Sequence, residues 1–323
     1  EWITKLMDGR AEDIRHCILC HNGCFTMCHY KGVPNDQDLS DSLHLARCAV
    51  NAEMMQWGKH HIDKTYSSKT VHIVGGGIGG MEAARVLKLR GHKPVIHEKS
   101  NELGGAFIAA SAESYKGKLR DLLAWYKRQM KELDIEVRLG DEVKDVSTFG
   151  GDPVIVATGA VPRVLRRVPG NEKMVEACDF LLGKKDVGET VAVIGGGLTG
   201  CEIAYELALH GKKPIIVEMK DDLVAQKGVC LANSSYLREW FALNEVPVYL
   251  ETALKEVKDG AIVCAGKDGS DFELACDSVI SCAGYIPAPL TEKRSGVQLI
   301  GDCRAVGNLR SVVWEAYEAA MKI

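Results

Sequence analysis

The sequence predicts an α/β chain with two parallel-sheet units, the second inserted in the first, behind a short cysteine-rich segment. Three observations carry this. An apolar strand runs into a glycine turn and a helix twice over, the two occurrences match at a fixed offset, and five of the 12 cysteines crowd between residues 17 and 48. At 323 residues the chain is long enough for two ordinary domains, at about 100–200 residues each. Its 40 basic and 44 acidic residues, net charge −4 and 46% hydrophobic content exclude disorder and the basic excess of a nucleic-acid binder. No apolar run approaches the roughly 18–20 residues of a membrane span, and no leader pattern opens the chain. These features lead us to expect a cytoplasmic protein without membrane or nucleic-acid partners. The start at Glu1 and the stop at Ile323 inside a helical pattern (Val312 to Lys322) read as a piece of a longer protein.

The first segment holds Cys17-Ile-Leu-Cys20-His-Asn-Gly-Cys24, then Cys28, then Cys48. A disulfide scaffold is unsuited to this crowding. A tight C-x2-C-x3-C with one distant cysteine is what a cuboidal iron–sulfur cluster needs, because one short loop wraps three corners and the fourth thiolate arrives from elsewhere. We assign Cys17, Cys20, Cys24 and Cys48 to a 4Fe-4S cluster, with Cys28 as a spare. A zinc site, with His16, His21 or His29 replacing one sulfur, is the alternative. Residues 53–68 are polar, rich in His and Lys, and read as a connector in which His60 and His61 are solvated.

The first unit begins at Val71-His-Ile-Val-Gly75-Gly-Gly77-Ile-Gly-Gly80, continues as a helix from Met81 to Arg90, and ends its second strand, Pro94-Val-Ile-His-Glu98, on an acid. Gly75 permits the tight turn, Gly77 lets the backbone approach a pyrophosphate, Gly80 lets the helix sit close to the strand, and Glu98 is placed to bond a ribose hydroxyl. The second unit repeats all of this 120 residues on, from Gly75 to Gly195, with Gly197, Gly200 and the acid Glu218. Glu82, Ala84, Leu87, Leu89, Gly91, Lys93 and Pro94 recur as Glu202, Ala204, Leu207, Leu209, Gly211, Lys213 and Pro214. One such turn is weak evidence; two complete units define two Rossmann-like dinucleotide-binding domains. After Glu98 the chain adds Gly104-Gly105, which leaves room for a long cofactor to continue, so FAD is assigned to the first unit. An acid at 218 facing the adenine ribose repels a 2′-phosphate, so NADH is favoured over NADPH in the second.

Each unit closes with a strand and a small-residue turn, at Val154-Ile-Val-Ala-Thr158-Gly159 and at Val279-Ile-Ser-Cys282-Ala-Gly284. Thr158 and Gly159 are placed at the cofactor, and Asp302, in Ile-Gly301-Asp302-Cys303, near the flavin's ribityl and phosphate. The expected domains are an iron–sulfur segment and connector at 1–68, an FAD domain at 69–160 plus 285–323, and an NAD(P)H domain at 161–284. His97, Trp314 and Tyr317 read as packing residues. So do the scattered cysteines, although Cys201, at a helix start, stands where a thiol pKa is often lowered.

Together the cysteine set with CAVNA, GGGIGG, ELGG, VIVATGAVPR, GGGLTG and IGDC closely resemble the carboxyl-terminal half of the iron–sulfur flavoenzymes that carry an old-yellow-enzyme barrel, such as 2,4-dienoyl-CoA reductase, 2-enoate reductase and trimethylamine dehydrogenase. The resemblance covers essentially the whole chain. It implies Cys17, Cys20, Cys24 and Cys48 as cluster ligands, Glu98 as a ribose contact, and Lys116 and Val143 as further FAD neighbours. It also implies electron flow from NADH to FAD, to the cluster, and to FMN in a barrel absent from this sequence. That barrel would reduce an enoate, enoyl-CoA or enone; the partner is the chain's own barrel or a separate flavoprotein, in a homo-oligomer or alone. Ala106, Ala52 and a long Cys24–Cys48 interval depart from the family pattern. The rivals are a disulfide reductase, which needs a cysteine pair that residues 107–117 lack, a stand-alone NADH-oxidising subunit, and an ADP-holding scaffold without catalysis.

Overall fold

A computed structural model describes residues 2–24, 46–56, 58–225 and 229–323. Cys28 and His29, weighed above as a spare thiol and a zinc ligand, lie outside the described residues. A short helix, α1 (Trp2–Met7), leads into the cysteine segment. The first unit then runs β1 (Thr70–Val74), α2 (Ile78–Arg90), β2 (Lys93–Glu98), one helical turn at Phe107–Ala110, α3 (Gly117–Glu132), β3 (Glu136–Leu139) and β4 (Val154–Val156). The chain crosses over on β5 (Ala160–Pro162). It then builds β6 (Val175–Glu176), α4 (Ala177–Leu181), β7 (Thr190–Ile194), α5 (Leu198–Leu209), β8 (Lys213–Val217), α6 (Leu231–Leu243) and β9 (Val248–Tyr249). The strands β10 (Ala253–Lys258), β11 (Ala261–Ala265), β12 (Asp271–Ala275) and β13 (Ser278–Ser281) complete the second unit. Return is through β14 (Tyr285–Pro287) to β15 (Val297–Leu299) and α7 (Leu309–Met321).

Both main sheets are parallel and five-stranded, in the orders β15-β4-β1-β2-β3 and β6-β13-β7-β8-β9. Parallel strands are buried on both faces and therefore read as continuous apolar runs, as β4 (Val-Ile-Val) and the Val191–Ile194 stretch of β7 do; β1 is interrupted by His72. The chain leaves the first sheet after β4 and rejoins it only at β15, and β5 pairs antiparallel with β14 where it leaves and returns. One core holds Ile73, Met81, Leu87, Ile96, Leu122, Tyr126 and Tyr317; another holds Ile203, Leu207, Ile216 and Phe241. A three-stranded antiparallel sheet, β10-β11-β12, covers the outer face of the second unit, packing Val257, Ile262 and Cys264 on Ala192, Ile194 and Val217. Among the described residues, no helix is long and apolar enough to cross a membrane.

Two helix starts differ from the sequence reading. Helix α2 begins at Ile78 rather than Met81, because Gly77 serves as its extended N-cap and takes Gly79 and Gly80 into the first turn. Helix α7 begins at Leu309 rather than Val312, because Asn308 and Ser311 form a reciprocal capping box. His60 is a correction of another kind. It is only 6% exposed, bonded through Nδ1 to the Ala52 carbonyl (2.8 Å) and packed on Trp314 and Tyr317.

A Cβ added at Gly80 would run into the carbonyl oxygen of Gly75, and one at Gly200 into that of Gly195. Gly117, at the first position of α3, has no such neighbour. Gly80→Ala and Gly200→Ala are therefore expected to destabilise by about 1–3 kcal/mol each, while Gly117→Ala is neutral or stabilising. Urea unfolding of the three variants checks this.

Candidate dinucleotide and thiol sites

The glycine turn after β1 is locked by the acid at the end of β2. Glu98 is buried and accepts from the Gly76 N–H (2.7 Å) and the Ser100 N–H (2.7 Å), while the Gly75 N–H donates to the His97 carbonyl (2.8 Å). The lock recurs in the second unit. Glu218 accepts from the N–H groups of Gly196 (2.5 Å) and Lys220 (2.8 Å), and the Gly195 N–H donates to the Val217 carbonyl (2.8 Å). Gly77 and Gly197 are both extended N-caps, so each helix turns its first N–H groups and its positive dipole end towards the glycine turn, where a pyrophosphate is favoured. Each carboxylate oxygen keeps capacity to accept from a ribose hydroxyl, and neither can accommodate a 2′-phosphate without repulsion. Glu218 is half-buried where Glu98 is buried, so the second site is the more open. The Lys220 ammonium donates to the Ala225 carbonyl (3.2 Å).

The glycine pair at 104–105 folds back on the first turn. The Gly104 N–H donates to the Gly76 carbonyl (2.9 Å), and a Cβ on Gly105 would stand 3.4 Å from the Gly77 Cα. Four side-chain-free residues thus face one another. In the second unit Val224 makes the corresponding bond to the Gly196 carbonyl (2.8 Å), and its side chain is buried.

Thr158 and Gly159 form the exit turn of the first unit, held by Thr158 Oγ1 donating to the Ala288 carbonyl (2.7 Å). Asp302 accepts from the Gly307 N–H (3.0 Å) just ahead of α7, and burial pushes its carboxyl up. Val143 packs with Val74, Val146 and Val154 on the outer face of the first sheet. Lys116 is placed between the two units: its ammonium pairs with Glu202 on α5 (2.8 Å) and with Glu113 (3.2 Å). Ser114 adds two bonds to Glu206, from its N–H (2.9 Å) and its Oγ (2.8 Å). Burial and the neighbouring Glu202 push the Glu113 carboxyl up against the pull of Lys116. Sequence reasoning missed this contact; the recurrence of Glu82 as Glu202 was its one visible trace.

The cysteine loop alternates backbone hand. Leu19 (φ 58°), His21 (φ 55°) and Gly23 (φ 104°) are left-handed, and the residues between them are not. Successive N–H groups of such a loop converge, which favours an anionic guest. The Leu19 N–H is 3.4 Å from the Cys17 sulfur. Burial pushes the Cys20 thiol up to about 11; the Asn22 N–H pulls it down, and Cys48, Cys24 and Cys17 add to the rise, so all four sulfurs share one neighbourhood. Cys48 is brought there by the Arg47 N–H bonding the Gly23 carbonyl (2.8 Å), and its own carbonyl accepts from Trp314 Nε1 (2.9 Å). Among the described residues, no group of three His, Cys, Asp or Glu is arranged to hold a metal ion as the side chains stand. The donor set, with the Leu19 and Asn22 N–H groups directed at the Cys17 and Cys20 sulfurs, fits a thiolate-ligated cluster.

The other cysteines are chiefly packing residues. Cys201, Cys230, Cys264, Cys276 and Cys303 are buried, and Cys178 and Cys282 are half-buried, with the Cys178 sulfur 3.0 Å from the Tyr285 hydroxyl. Burial, and then Glu218, push the Cys201 thiol up to about 12, so the helix start does not activate it.

The segment bearing the thiols is pinned to the first unit by buried charge. Arg15 stacks on Trp125 (4.3 Å), donates to the Val50 carbonyl and pairs with Glu82 (3.5 Å), which also holds Arg85 (2.8 Å). Burial alone would raise the Glu82 carboxyl, but Arg15 and Arg85 outweigh it and hold it below its ordinary value.

The family profile of the pyridine nucleotide-disulphide oxidoreductases matches residues 69–306. The chain belongs to that family. FAD and pyridine-nucleotide binding and oxidoreductase activity come with it. Over 99% of its length the chain is 34% identical to a cinnamate reductase of Clostridium sporogenes, covering 47% of that protein. It is 31% identical to an NADH oxidase of Thermoanaerobacter brockii, covering 50% of it. The chain thus spans about half the length of these relatives. It superposes over its full length on 48% of a 2-naphthoyl-CoA reductase, with TM-score 0.87 and 25% identity. Thioredoxin reductase of Lactococcus lactis, at TM-score 0.63 and 21% identity, shares the fold over 79% of this chain. The recognised resemblance to the nucleotide-binding half of 2-enoate reductase-like proteins is borne out.

Removing Glu82 strands the buried Arg85 guanidinium and takes the carboxylate from the half-buried Arg15, so Glu82→Ala is expected to cost about 3–5 kcal/mol. Because this carboxyl is held below its ordinary value, its contribution is full above that value and is lost as pH falls beneath it. Urea unfolding from pH 7 to pH 3 reads both effects, and the variant lacks this share of the acid loss.

Proposed function

We propose that this chain is the NADH-oxidising half of an iron–sulfur flavoenzyme that reduces the C=C bond of an enoate, enoyl-CoA or enone. When bound, FAD, NADH, the 4Fe-4S cluster and the FMN of a barrel or partner flavoprotein supply the hydride and single-electron chemistry. Residues 69–160 with 285–323 form the FAD domain in this reading, 161–284 the NAD(P)H domain, and 1–68 the cluster segment with its connector. Gly75, Gly77, Gly80, Gly104 and Gly105 give FAD its side-chain-free path, and Glu98 orients its ribose. Thr158, Gly159 and Asp302 stand towards the flavin end, and Lys116 and Val143 are assigned as further neighbours. Gly195, Gly197, Gly200 and Glu218 hold NADH in the same manner. Cys17, Cys20, Cys24 and Cys48 are the four thiolates of the cluster.

The observation that carries the reading is the twice-made lock of a carboxylate on a glycine turn, in a chain whose Cys17, Cys20, Cys24 and Cys48 thiols share one neighbourhood. The activities that name two similar proteins, cinnamate reductase and 2-naphthoyl-CoA reductase, support reduction of a conjugated acid or thioester. NADH over NADPH is supported by the free acceptor capacity of Glu218 and by the engagement of Lys220 with Ala225.

Anaerobic titration of the cluster-loaded protein with NADH should bleach the flavin absorbance and raise the paramagnetic signal of a reduced cluster. Flavin that stays oxidised under excess NADH overturns the reading and leaves a nucleotide-binding scaffold. Cys20→Ser should abolish the cluster signal while the flavin still bleaches. Glu218→Ala should raise the KM for NADH by about 10- to 100-fold, as loss of hydrogen bonds to a charged acceptor implies, with little change for NADPH; steady-state kinetics with both nucleotides decides it.

A further inference from the structure

The repeat makes two histidines conspicuous. His72 on β1 and His97 on β2 correspond, 120 residues on, to Ala192 on β7 and Val217 on β8, which are buried apolar residues under the three-stranded sheet. In the first unit this face of the sheet carries the 141–152 segment instead, whose Phe149 ring stacks on His72 at 4.0 Å. A cavity of about 760 Å³ opens there, lined by His72, His97, Arg138, Val143 and Phe149.

The two imidazoles join two carboxylates of that segment in a chain. His97 Nδ1 is 2.8 Å from Asp141 Oδ2, His97 Nε2 is 2.9 Å from His72 Nδ1, and His72 Nε2 is 3.6 Å from Asp152 Oδ2. The carboxylate of Asp141 only accepts, so His97 donates through Nδ1 and accepts through Nε2 from His72 Nδ1–H. His72 Nε2 is then the one nitrogen left to take a proton, and it faces Asp152. Asp141 is also bonded to the cofactor site, since its N–H donates to the Glu98 carbonyl (2.9 Å). Val143 lies two residues further on.

We propose that His72 and His97 are positioning residues for the adenine end of FAD: through Asp141 they seat the 141–143 segment beside Glu98, and protonation of His72 releases it. This rests on the reading that the first unit binds FAD. The groups facing His72 are His97 on β2, Arg138 on β3 and Asp152 on the covering segment; Glu142, Lys144 and Asp145 stand at the cavity rim. Burial, His97 and Arg138 hold the seated imidazole below its ordinary value against the pull of Asp152. Released into water it regains a pKa of about 6.5. Release therefore takes up a proton, and seating is complete above that value and lost as pH falls beneath it.

The test is FAD affinity from pH 8 to pH 5, read by flavin fluorescence, with amide-exchange protection of residues 141–152 measured without FAD. Wild type should bind uniformly above pH 7 and weaken severalfold between pH 6.5 and pH 5, with protection falling in parallel. His72→Ala with His97→Val, which copies the second unit, should flatten both profiles. Asp152→Asn, on a half-exposed side chain, removes the carboxylate facing the added proton and should deepen the acid loss; should the double variant fail to fold, this one decides. A wild-type affinity that does not change, or an equal slope in either variant, overturns the inference alone. No FAD uptake at any pH overturns the cofactor reading and the inference with it.

Discussion

The carboxylate at the end of the second strand of each unit holds everything else in place. A turn that must bring backbone within reach of a pyrophosphate has no side chains with which to fix itself. Glu98 and Glu218 do so from outside, each tying one turn N–H and one N–H of its own loop. In the proposed reading the same oxygens accept from a ribose, so that one group would set the turn and recognise the ligand that uses it. The glycines at 80 and 200 then let the following helix close on the turn it caps.

On that common frame the two units diverge where their neighbours differ. Positions 104 and 224 both require left-handed backbone; glycine adopts it freely, whereas a buried β-branched valine bears a cost of about 1–3 kcal/mol. In the proposed reading glycine is kept where FAD passes, while the buried valine fills the core of the second unit. Positions 82 and 202 are glutamates in both helices. One is buried under Arg15 and Arg85, and the other reaches across to Lys116. A duplicated residue has thus become an anchor for the thiol-bearing segment in one unit and a contact between units in the other.

What the sequence made legible follows the range of each interaction. Strand, turn, helix and acid are local in the chain, and the offset of 120 doubled the evidence, so Gly75 to Glu98 and Gly195 to Glu218 could be read directly. The thiols were readable by spacing, though nothing local says that Arg47 bonds Gly23 and so carries Cys48 to the loop. His60 was misread because a polar connector looks solvated until Trp314 and Tyr317, from the far end of the chain, cover it. Lys116 could be named by resemblance, but its pairing with Glu202 joins residues on separate sheets, and no periodicity reports that.

The buried charges beneath the cysteine segment show why such a segment can dock in one place. Two arginines and a glutamate taken out of water gain little over a well-packed apolar contact, since desolvation consumes most of the Coulombic attraction. An apolar patch, however, tolerates sliding, whereas Glu82 accepts Arg15 only when Arg15 also lies on Trp125 and reaches the Val50 carbonyl. A shift of one residue would break all three contacts and leave Glu82 to Arg85 alone. Val50 is two residues from Cys48, and Arg15 two from Cys17, so the pin fixes both arms of the thiol set at once. Placement of the thiols relative to the first nucleotide turn is therefore set by electrostatics that contribute little to stability and much to register.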